Sequence, residues 1–176
     1  MEKHLQGRLF YRIIAPVITM ASKTNALRIV QQQKLPCREA SYEYDEKDLS
    51  RLHAAAAIGM PPEQVFKTLV ARGEKTGIHV FCIPVCCELD LKKAAKAAKD
   101  KNMEMVAVKE LLGLTGYIRG GCSPVGMKKK YPTHFDETCI LWDEIAVSAG
   151  ARGHQLVAPP EALVNLIGAE LADIIL

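Results

Sequence analysis

Residues 65–85, VFKTLVARGEKTGIHVFCIPV, are the part of the chain that decides its fold. The alternation in VFKTLVA predicts a β-strand, with Val65, Lys67 and Leu69 on one face and Phe66, Thr68 and Val70 on the other. The segment IHVFCIPV is apolar after its histidine and predicts a strand buried on both faces. The turn-like sequence RGEKTG separates the two segments, so they should pair as a hairpin with a longer loop.

Helices and further strands are predicted on both sides of this hairpin. Five helices are predicted. The first begins after the capping residue Ser22 or Thr24, the second contains Leu49, Leu52 and Ala56 and ends at Gly59, and the third begins after the capping residue Asp90. The fourth covers residues 108–113, and the fifth covers residues 161–175 after Pro159 and Pro160. The predicted strands begin at residue 38, enter a glycine-rich turn within residues 115–126, and form a hairpin from residues 144–150 and 155–158. Several strand pairs are joined too tightly for a helical crossover. The fold class is therefore α+β, with a mixed, mostly antiparallel sheet flanked by helices.

Composition sets only broad limits on function. The length of 176 residues suits one domain, and a net charge of +3 neither requires nor excludes a nucleic-acid partner. No two of the six cysteines have C-x-x-C spacing, and the five histidines lack the spacing of metal ligands, so reduced thiols and no metal or cofactor are expected.

The first 21 residues differ from the rest of the chain. Residues 1–21 combine positive charge with an apolar stretch that Arg12 and Pro16 interrupt, and Met20 is a plausible second start. No run approaches the length of a membrane span. We therefore expect residues 1–21 to be a disordered extension or to precede the true start, residues 22–176 to form a single domain, and the protein to be cytoplasmic without a membrane partner.

Lys67 is the strongest candidate for a functional side chain. An ammonium group on an inward strand face is costly unless an anionic or polar group receives it. It could anchor a carbonyl oxygen, phosphate or carboxylate, or it could be an edge-strand lysine whose ammonium group reaches solvent.

The glycine-rich segment from Gly120 to Gly126 is the second candidate. Consecutive glycines let backbone N–H groups approach a ligand and hold an oxyanion, although a tight turn without a ligand has the same composition. Cys122 could act as a nucleophile with His134 or His154 as its base, but no local pattern supports that pairing. The lysines Lys92, Lys96 and Lys99 and the run Lys128, Lys129 and Lys130 are solvated surface or, if they face one cleft, a site for a phosphate backbone.

Four segments occur together in an order that resembles a known family. They are VFKTL (65–69), LDLKKAAK (89–96), the run from Thr115 to Lys130, and VSAGARG (147–153). In this combination the chain is similar to the YbaK/EbsC/ProX family of aminoacyl-tRNA deacylases, in its Cys-tRNA(Pro) deacylase branch. The resemblance covers about residues 22–176 and implies a sheet curved into a partial barrel with helices around it.

The resemblance also implies the site residues and the reaction. Lys67 matches the family's essential lysine, Thr68 its neighbouring threonine and Tyr42 the tyrosine at the pocket. Gly120 and Pro124 match its G-x-x-x-P loop, and Ser148 matches the hydroxyl in its V-S-G-G-type turn. Gly121 and Ser123 are further substrate-binding candidates. Ala149 stands where glycine is usual, which puts the backbone freedom of that turn in doubt.

The implied reaction is removal of a wrong amino acid from the 3′ end of tRNA. In the cysteine branch the substrate's own thiol attacks the ester, so the enzyme needs no nucleophile; a sister branch uses water and removes alanine. The implied partners are aminoacyl-tRNA, in particular tRNA(Pro), and prolyl-tRNA synthetase. A noncatalytic module that binds tRNA or the synthetase, and a thiol hydrolase that uses Cys122, remain alternatives.

Overall fold

The computed structural model describes residues 24–44, 46–47 and 51–176, which form helices and strands interspersed along the chain. The α-helices are α1 (Asn25–Gln32), α2 (Arg51–Ile58), α3 (Leu91–Ala97), α4 (Val108–Thr115) and α5 (Pro160–Ile167). The strands are β1 (Arg38–Ser41), β2 (Phe66–Gly73), β3 (Gly77–Pro84), β4 (Met103–Met105), β5 (Thr133–Asp136), β6 (Ile145–Ser148), β7 (His154–Ala158) and β8 (Glu170–Ala172). Two short 3₁₀ helices cover Pro62–Gln64 and Glu137–Leu141.

The strands form two sheets, so the predicted α+β class is confirmed. A three-stranded antiparallel sheet has the order β1-β7-β6, and a five-stranded sheet has the order β4-β2-β3-β5-β8. In the larger sheet β2 is antiparallel to β3 and β4, while β5 is parallel to both β3 and β8. The sheets meet at a parallel bridge between Val65 and Ala146 but do not close, so the description as a partial barrel is a loose one.

The predicted hairpin is the centre of the core. Its register pairs Phe66 with Pro84 and Gly73 with Gly77, and β3 is buried from His79 onward, as its apolar sequence predicted. One face of β2 carries Phe66 and Val70 into the main core, whereas the other packs on α3. The two faces therefore meet different layers, which explains why both sets of alternating residues are largely apolar.

Several helix ends follow the predicted capping residues. The Thr24 hydroxyl accepts a hydrogen bond from the Leu27 N–H, and the Asp90 carboxylate accepts from Lys92 and Lys93. Gly59 follows α2 in a left-handed conformation with φ of 70°. The alternative cap Ser22, the residue Leu49 and the predicted extension 1–21 lie outside the described residues. None of the described helices is long and apolar enough to cross a membrane.

Two predicted elements are wrong. Residues 115–126 hold no strand, because α4 continues to Thr115 and Gly116 ends it at φ of 82°. The loop that follows is held by side chains: the Tyr117 hydroxyl donates to the Val125 carbonyl at 2.7 Å. The last helix stops at Ile167, since Gly168 adopts φ of 69°, and the chain continues as β8.

Candidate active site

A cleft of about 360 Å³ opens where the two sheets meet. The amino-terminal half of β2 has only β3 as a ladder partner, because β4 pairs with residues 71–73 alone. Its other edge faces the smaller sheet, and this gap is the cleft. The lining residues are Tyr42, Tyr44, His53, Ala54, Val65, Phe66, Lys67, Thr68, Val85, Val108, Arg119, Gly120, Cys122, Ser148, Arg152 and Gln155.

Lys67 and Thr68 reach this cleft from the start of β2. The Lys67 side chain is only 10% exposed, and its Nζ lies 3.8 Å from Oε1 of Glu88, whose side chain is 80% exposed. An ion pair with so exposed a carboxylate is weak, so Glu88 offsets little of the cost of burying the ammonium group. The Thr68 hydroxyl lies 3.8 Å from the Cys82 sulfur. The lysine thus brings a positive charge into a partly enclosed space.

The glycine-rich loop forms one wall of the cleft. Gly120, at φ of 87°, and Cys122 line it, whereas Gly121, Ser123 and Pro124 are buried behind the wall. A Cβ on Gly121 would lie 3.1 Å from the backbone of Ala151, so glycine permits the close approach of this loop to the turn after β6. The Gly121 N–H donates to the Ile118 carbonyl at 3.0 Å. That amide is therefore engaged within the loop.

Ser148 ends β6 and lines the same cleft. Its Oγ accepts a hydrogen bond from the Gly150 N–H at 3.2 Å, which leaves the hydroxyl proton to donate elsewhere. Gly150 carries the left-handed conformation of this turn, with φ of 98°. Lys34 and Lys99 are the only non-glycine residues with positive φ in the described parts of the chain. Ala149 therefore needs no glycine-like freedom, and its carbonyl accepts a hydrogen bond from the Thr24 hydroxyl.

Aromatic and cationic side chains also line the cleft, and sequence reasoning identified only Tyr42 among the residues described next. The Arg152 guanidinium lies 5.1 Å from the centroid of the Tyr44 ring, and its Nε donates to the Arg119 carbonyl at 3.0 Å. The Tyr42 and His53 rings meet edge to face at 6.2 Å. Burial raises the pKa of the Tyr42 phenol, so it is neutral at pH 7.

The charge in this cleft has one sign. Lys67, Arg119 and Arg152 line it, and no aspartate or glutamate among the residues that the structure describes does so. Arg119 and Arg152 were within reach of the sequence analysis, because each lies inside one of the family-like segments beside a glycine. Three cationic side chains with tyrosines beside them suit an anionic ligand that has a flat ring.

The other candidate residues lie outside this cleft. His134 and His154 do not line it; His154 Nδ1 is instead 2.8 Å from Oε1 of Glu39. Neither proposed base therefore lines the cleft that Cys122 lines. The exposed lysines Lys92 and Lys96 lie on α3, and Lys128, Lys129 and Lys130 precede β5; none of them lines the cleft. Over residues 24–44, 46–47 and 51–176, no three side chains of the metal-ligating types form a cluster.

The family follows from a match that spans more than half of the chain. Residues 49–166 match the family model of the aminoacyl-tRNA editing domain. The chain belongs to this family. The match includes Lys67, Gly120 and Ser148, which line the cleft from three separate elements.

Relatives and solved structures agree with the family. A protein of Enterococcus faecalis (strain ATCC 700802 / V583), described as a candidate Cys-tRNA(Pro)/Cys-tRNA(Cys) deacylase, EbsC, is 47% identical over 152 residues, which are 86% of this chain and 93% of that protein. The crystal structure of a candidate trans-editing enzyme for prolyl-tRNA synthetase superposes with a TM-score of 0.75 at 27% identity, over 86% of this chain and 95% of that one. The hypothetical protein APE2540 shares the fold, with a TM-score of 0.79 at 22% identity, over 87% of this chain and all of that one.

Proposed function

We propose that this editing-domain protein is an aminoacyl-tRNA deacylase that removes cysteine from mischarged tRNA(Pro). The observation that carries the proposal is the buried ammonium group of Lys67, which shares one cleft with the Gly120 backbone and the Ser148 hydroxyl. The resemblance to EbsC supports cysteine as the amino acid and tRNA(Pro) as the carrier. A tRNA substrate supports a cytoplasmic location, which is part of the proposal.

The cleft suits the 3′ end of an aminoacyl-tRNA. The terminal adenosine offers a ring to Tyr42 and Tyr44, and the adjoining phosphate offers negative charge to Arg119 and Arg152. Thr68 and Ser148 supply hydroxyl groups for the polar atoms of the ribose or the amino acid. Lys67 then holds the ester carbonyl, on which negative charge develops as the bond is attacked. Gly121, Ser123 and Pro124 shape the loop from behind.

No enzyme nucleophile is required for a cysteinyl ester. The substrate thiol loses its proton and attacks its own carbonyl carbon, which forms a C–S bond in a cyclic thiolactone. The ester C–O bond breaks, and the departing ribose oxygen takes up a proton, so the tRNA 3′-hydroxyl is restored. Holding the thiol near the carbonyl supplies most of the acceleration, and Lys67 stabilises the oxyanion. Water attacking a bound alaninyl ester is the corresponding route for Ala-tRNA(Pro).

A deacylation panel tests this proposal. Purified protein is incubated with Cys-tRNA(Pro), Ala-tRNA(Pro), Cys-tRNA(Cys) and Pro-tRNA(Pro), each labelled on the amino acid. We expect Cys-tRNA(Pro) to lose its label fastest and Pro-tRNA(Pro) to remain charged. Loss no faster than in buffer for every species contradicts the deacylase proposal, and faster loss from Ala-tRNA(Pro) changes the amino acid but not the reaction class.

A noncatalytic tRNA-binding or synthetase-binding module is the second candidate. The exposed lysines on α3, Lys92 and Lys96, and the run Lys128 to Lys130 favour it, because they lie outside the cleft and suit a phosphate backbone. In the deacylase proposal the same lysines hold the body of tRNA(Pro), alone or on prolyl-tRNA synthetase. Salt-sensitive tRNA binding without ester cleavage identifies the binding module. Adding the synthetase to the panel shows whether it is a partner.

A further inference from the structure

A second cleft, separate from the candidate active site, lies between the end of α3, the start of β5 and β8. Its volume is about 240 Å³, and it shares no lining residue with the first cleft. Two histidines stand at its back: the rings of His79 and His134 are nearly parallel, with centroids 5.5 Å apart, and the residues are 4% and 3% exposed. Nothing in the proposed deacylase reaction uses them.

A chain of hydrogen bonds decides which nitrogen atoms of these histidines carry protons. Oδ2 of Asp100 accepts from the Thr76 hydroxyl at 2.8 Å, and hydrogen bonds led by the Thr76 N–H hold the pKa of Asp100 well below its usual value. The Thr76 oxygen has thus given up its only proton and must accept from Nε2 of His79 at 2.9 Å. Nδ1 of His79, 3.2 Å from Nε2 of His134, is then an acceptor, so Nε2 of His134 carries the proton.

Both imidazoles are neutral at pH 7. Burial lowers the pKa of His79, and burial together with the neighbouring His79 lowers the pKa of His134. In the neutral form, a proton on Nε2 leaves Nδ1 of His134 with a lone pair. That atom is buried and has no hydrogen-bond partner among the residues that the structure describes. Leaving such a group unsatisfied is costly, which marks the cleft as a site where a donor belongs.

The second acceptor at this site is a carboxylate. Oε2 of Glu170 lies 4.0 Å from Nδ1 of His134, too far for a direct hydrogen bond but close enough for one donor atom to bridge both. A primary ammonium group carries three N–H donors and a positive charge, so it satisfies the imidazole and pairs with the carboxylate at the same time. Lys99, on the rim of the same cleft, offers a positive charge to a carboxylate beside that ammonium group.

We propose that this second cleft binds the ammonium group of a small amino acid or amine, through His134 and Glu170. The volume suits a compound of a few carbon atoms. A metal ion would find two ligands here, and the described residues offer no third. An anion would face the His134 lone pair and the Glu170 carboxylate, both of which repel it. The inference does not depend on the deacylase reaction.

Titration of the wild-type protein tests the proposal directly. The probes are L-alanine, propylamine and propionate, and the readouts are calorimetry and the ¹⁵N signals of the imidazole rings. We expect L-alanine or propylamine to bind and to shift the Nδ1 signal of His134, and propionate to do neither. If both amines bind, the ammonium group alone is the determinant. If L-alanine binds and propylamine does not, Lys99 is also required, as the partner of the carboxylate.

The variant Glu170→Gln is the decisive comparison. The Glu170 side chain is 75% exposed, so the exchange keeps the fold, and losing the charged partner should weaken binding about tenfold. Glu161→Gln, at an exposed glutamate of α5, is the matched control and should bind like wild type. Failure of both amines to bind, binding of propionate, or equal binding by Glu170→Gln each overturns the proposal. Cleavage of Cys-tRNA(Pro) is measured separately and does not bear on it.

Discussion

Replacing Lys67 by methionine tests the centre of the proposed reaction. Methionine resembles lysine in length and volume but carries no charge, so Lys67→Met removes the electrostatic interaction and little else. Stabilisation of a developing oxyanion by one group contributes about 100- to 1,000-fold to kcat, or about 3–4 kcal/mol. Because the Lys67 side chain is only 10% exposed, solvent screens its charge little, and we expect a loss within this range.

The same structure predicts that this variant stays folded. The ion pair of Lys67 with Glu88 is 3.8 Å long and largely exposed on the glutamate side, so its loss costs little. An apolar side chain at this position also removes the cost of taking the ammonium charge out of water. The melting temperature of Lys67→Met should therefore lie within about 5 °C of that of wild type.

The assay compares single-turnover deacylation of Cys-tRNA(Pro) by wild type, Lys67→Met and Lys75→Met. Lys75 is an exposed lysine of the β2–β3 turn, and its variant controls for the loss of one positive charge. We expect the loss at Lys67 in the rate at saturating enzyme rather than in the half-saturating concentration. A folded Lys67→Met protein that retains activity within about threefold of wild type refutes the role of the ammonium group.

Three further predictions follow from other parts of the structure. Cys122→Ser should keep deacylation within about threefold of wild type, since neither proposed base, His134 or His154, lines the cleft; a loss of more than about 100-fold contradicts this. Gly150→Ala should lower the free energy of unfolding by about 1–3 kcal/mol, because φ of Gly150 is 98° and the new Cβ would lie 2.8 Å from the Tyr117 ring. An unchanged midpoint of urea unfolding contradicts this prediction. Burial lowers the pKa of His134 in the folded state, so the unfolded chain binds more protons in acid. The urea midpoint should therefore fall as the pH drops below about 6.5. A midpoint that stays constant from pH 8 to pH 5.5 contradicts this prediction.

Local signals predicted the elements whose residues carry their own conformational preference. The hairpin of residues 65–85 could be predicted because each of its two segments has a pattern that matches its environment. The alternating segment forms β2, whose two faces meet different layers, and the apolar run forms β3, which is buried. Asp90 identified the start of α3, since a carboxylate at that position satisfies amides that the helix leaves unpaired. The β6–β7 hairpin was readable for the same reason as the first.

The wrong predictions arose where tertiary contacts decided the conformation. Residues 161–175 have a helical apolar pattern throughout, and only the left-handed Gly168 and the pairing of β8 with β5 separate the helix from the strand. The pattern of β8 could not identify a partner that lies more than thirty residues earlier in the chain. In the loop after α4, the Tyr117 hydroxyl replaces ladder hydrogen bonds, and no period in the sequence reports such a contact.

In the candidate site, too, local sequence predicted some residues and tertiary contacts decided the others. Lys67 could be singled out because a charge between apolar strand residues is costly, and that cost is visible in the sequence itself. Arg119 and Arg152 lie in glycine-containing turns, where an arginine is ordinary, and only the approach of the two turns makes them neighbours. The glycine at 121 was the available signal, because it permits that approach. Each of the two turns has an arginine beside a glycine, and this pattern is consistent with two loops that meet at one anionic ligand. In the candidate active site Arg119, Arg152 and Lys67 line one cleft, and the proposed reaction assigns the arginines to a tRNA phosphate and Lys67 to the ester.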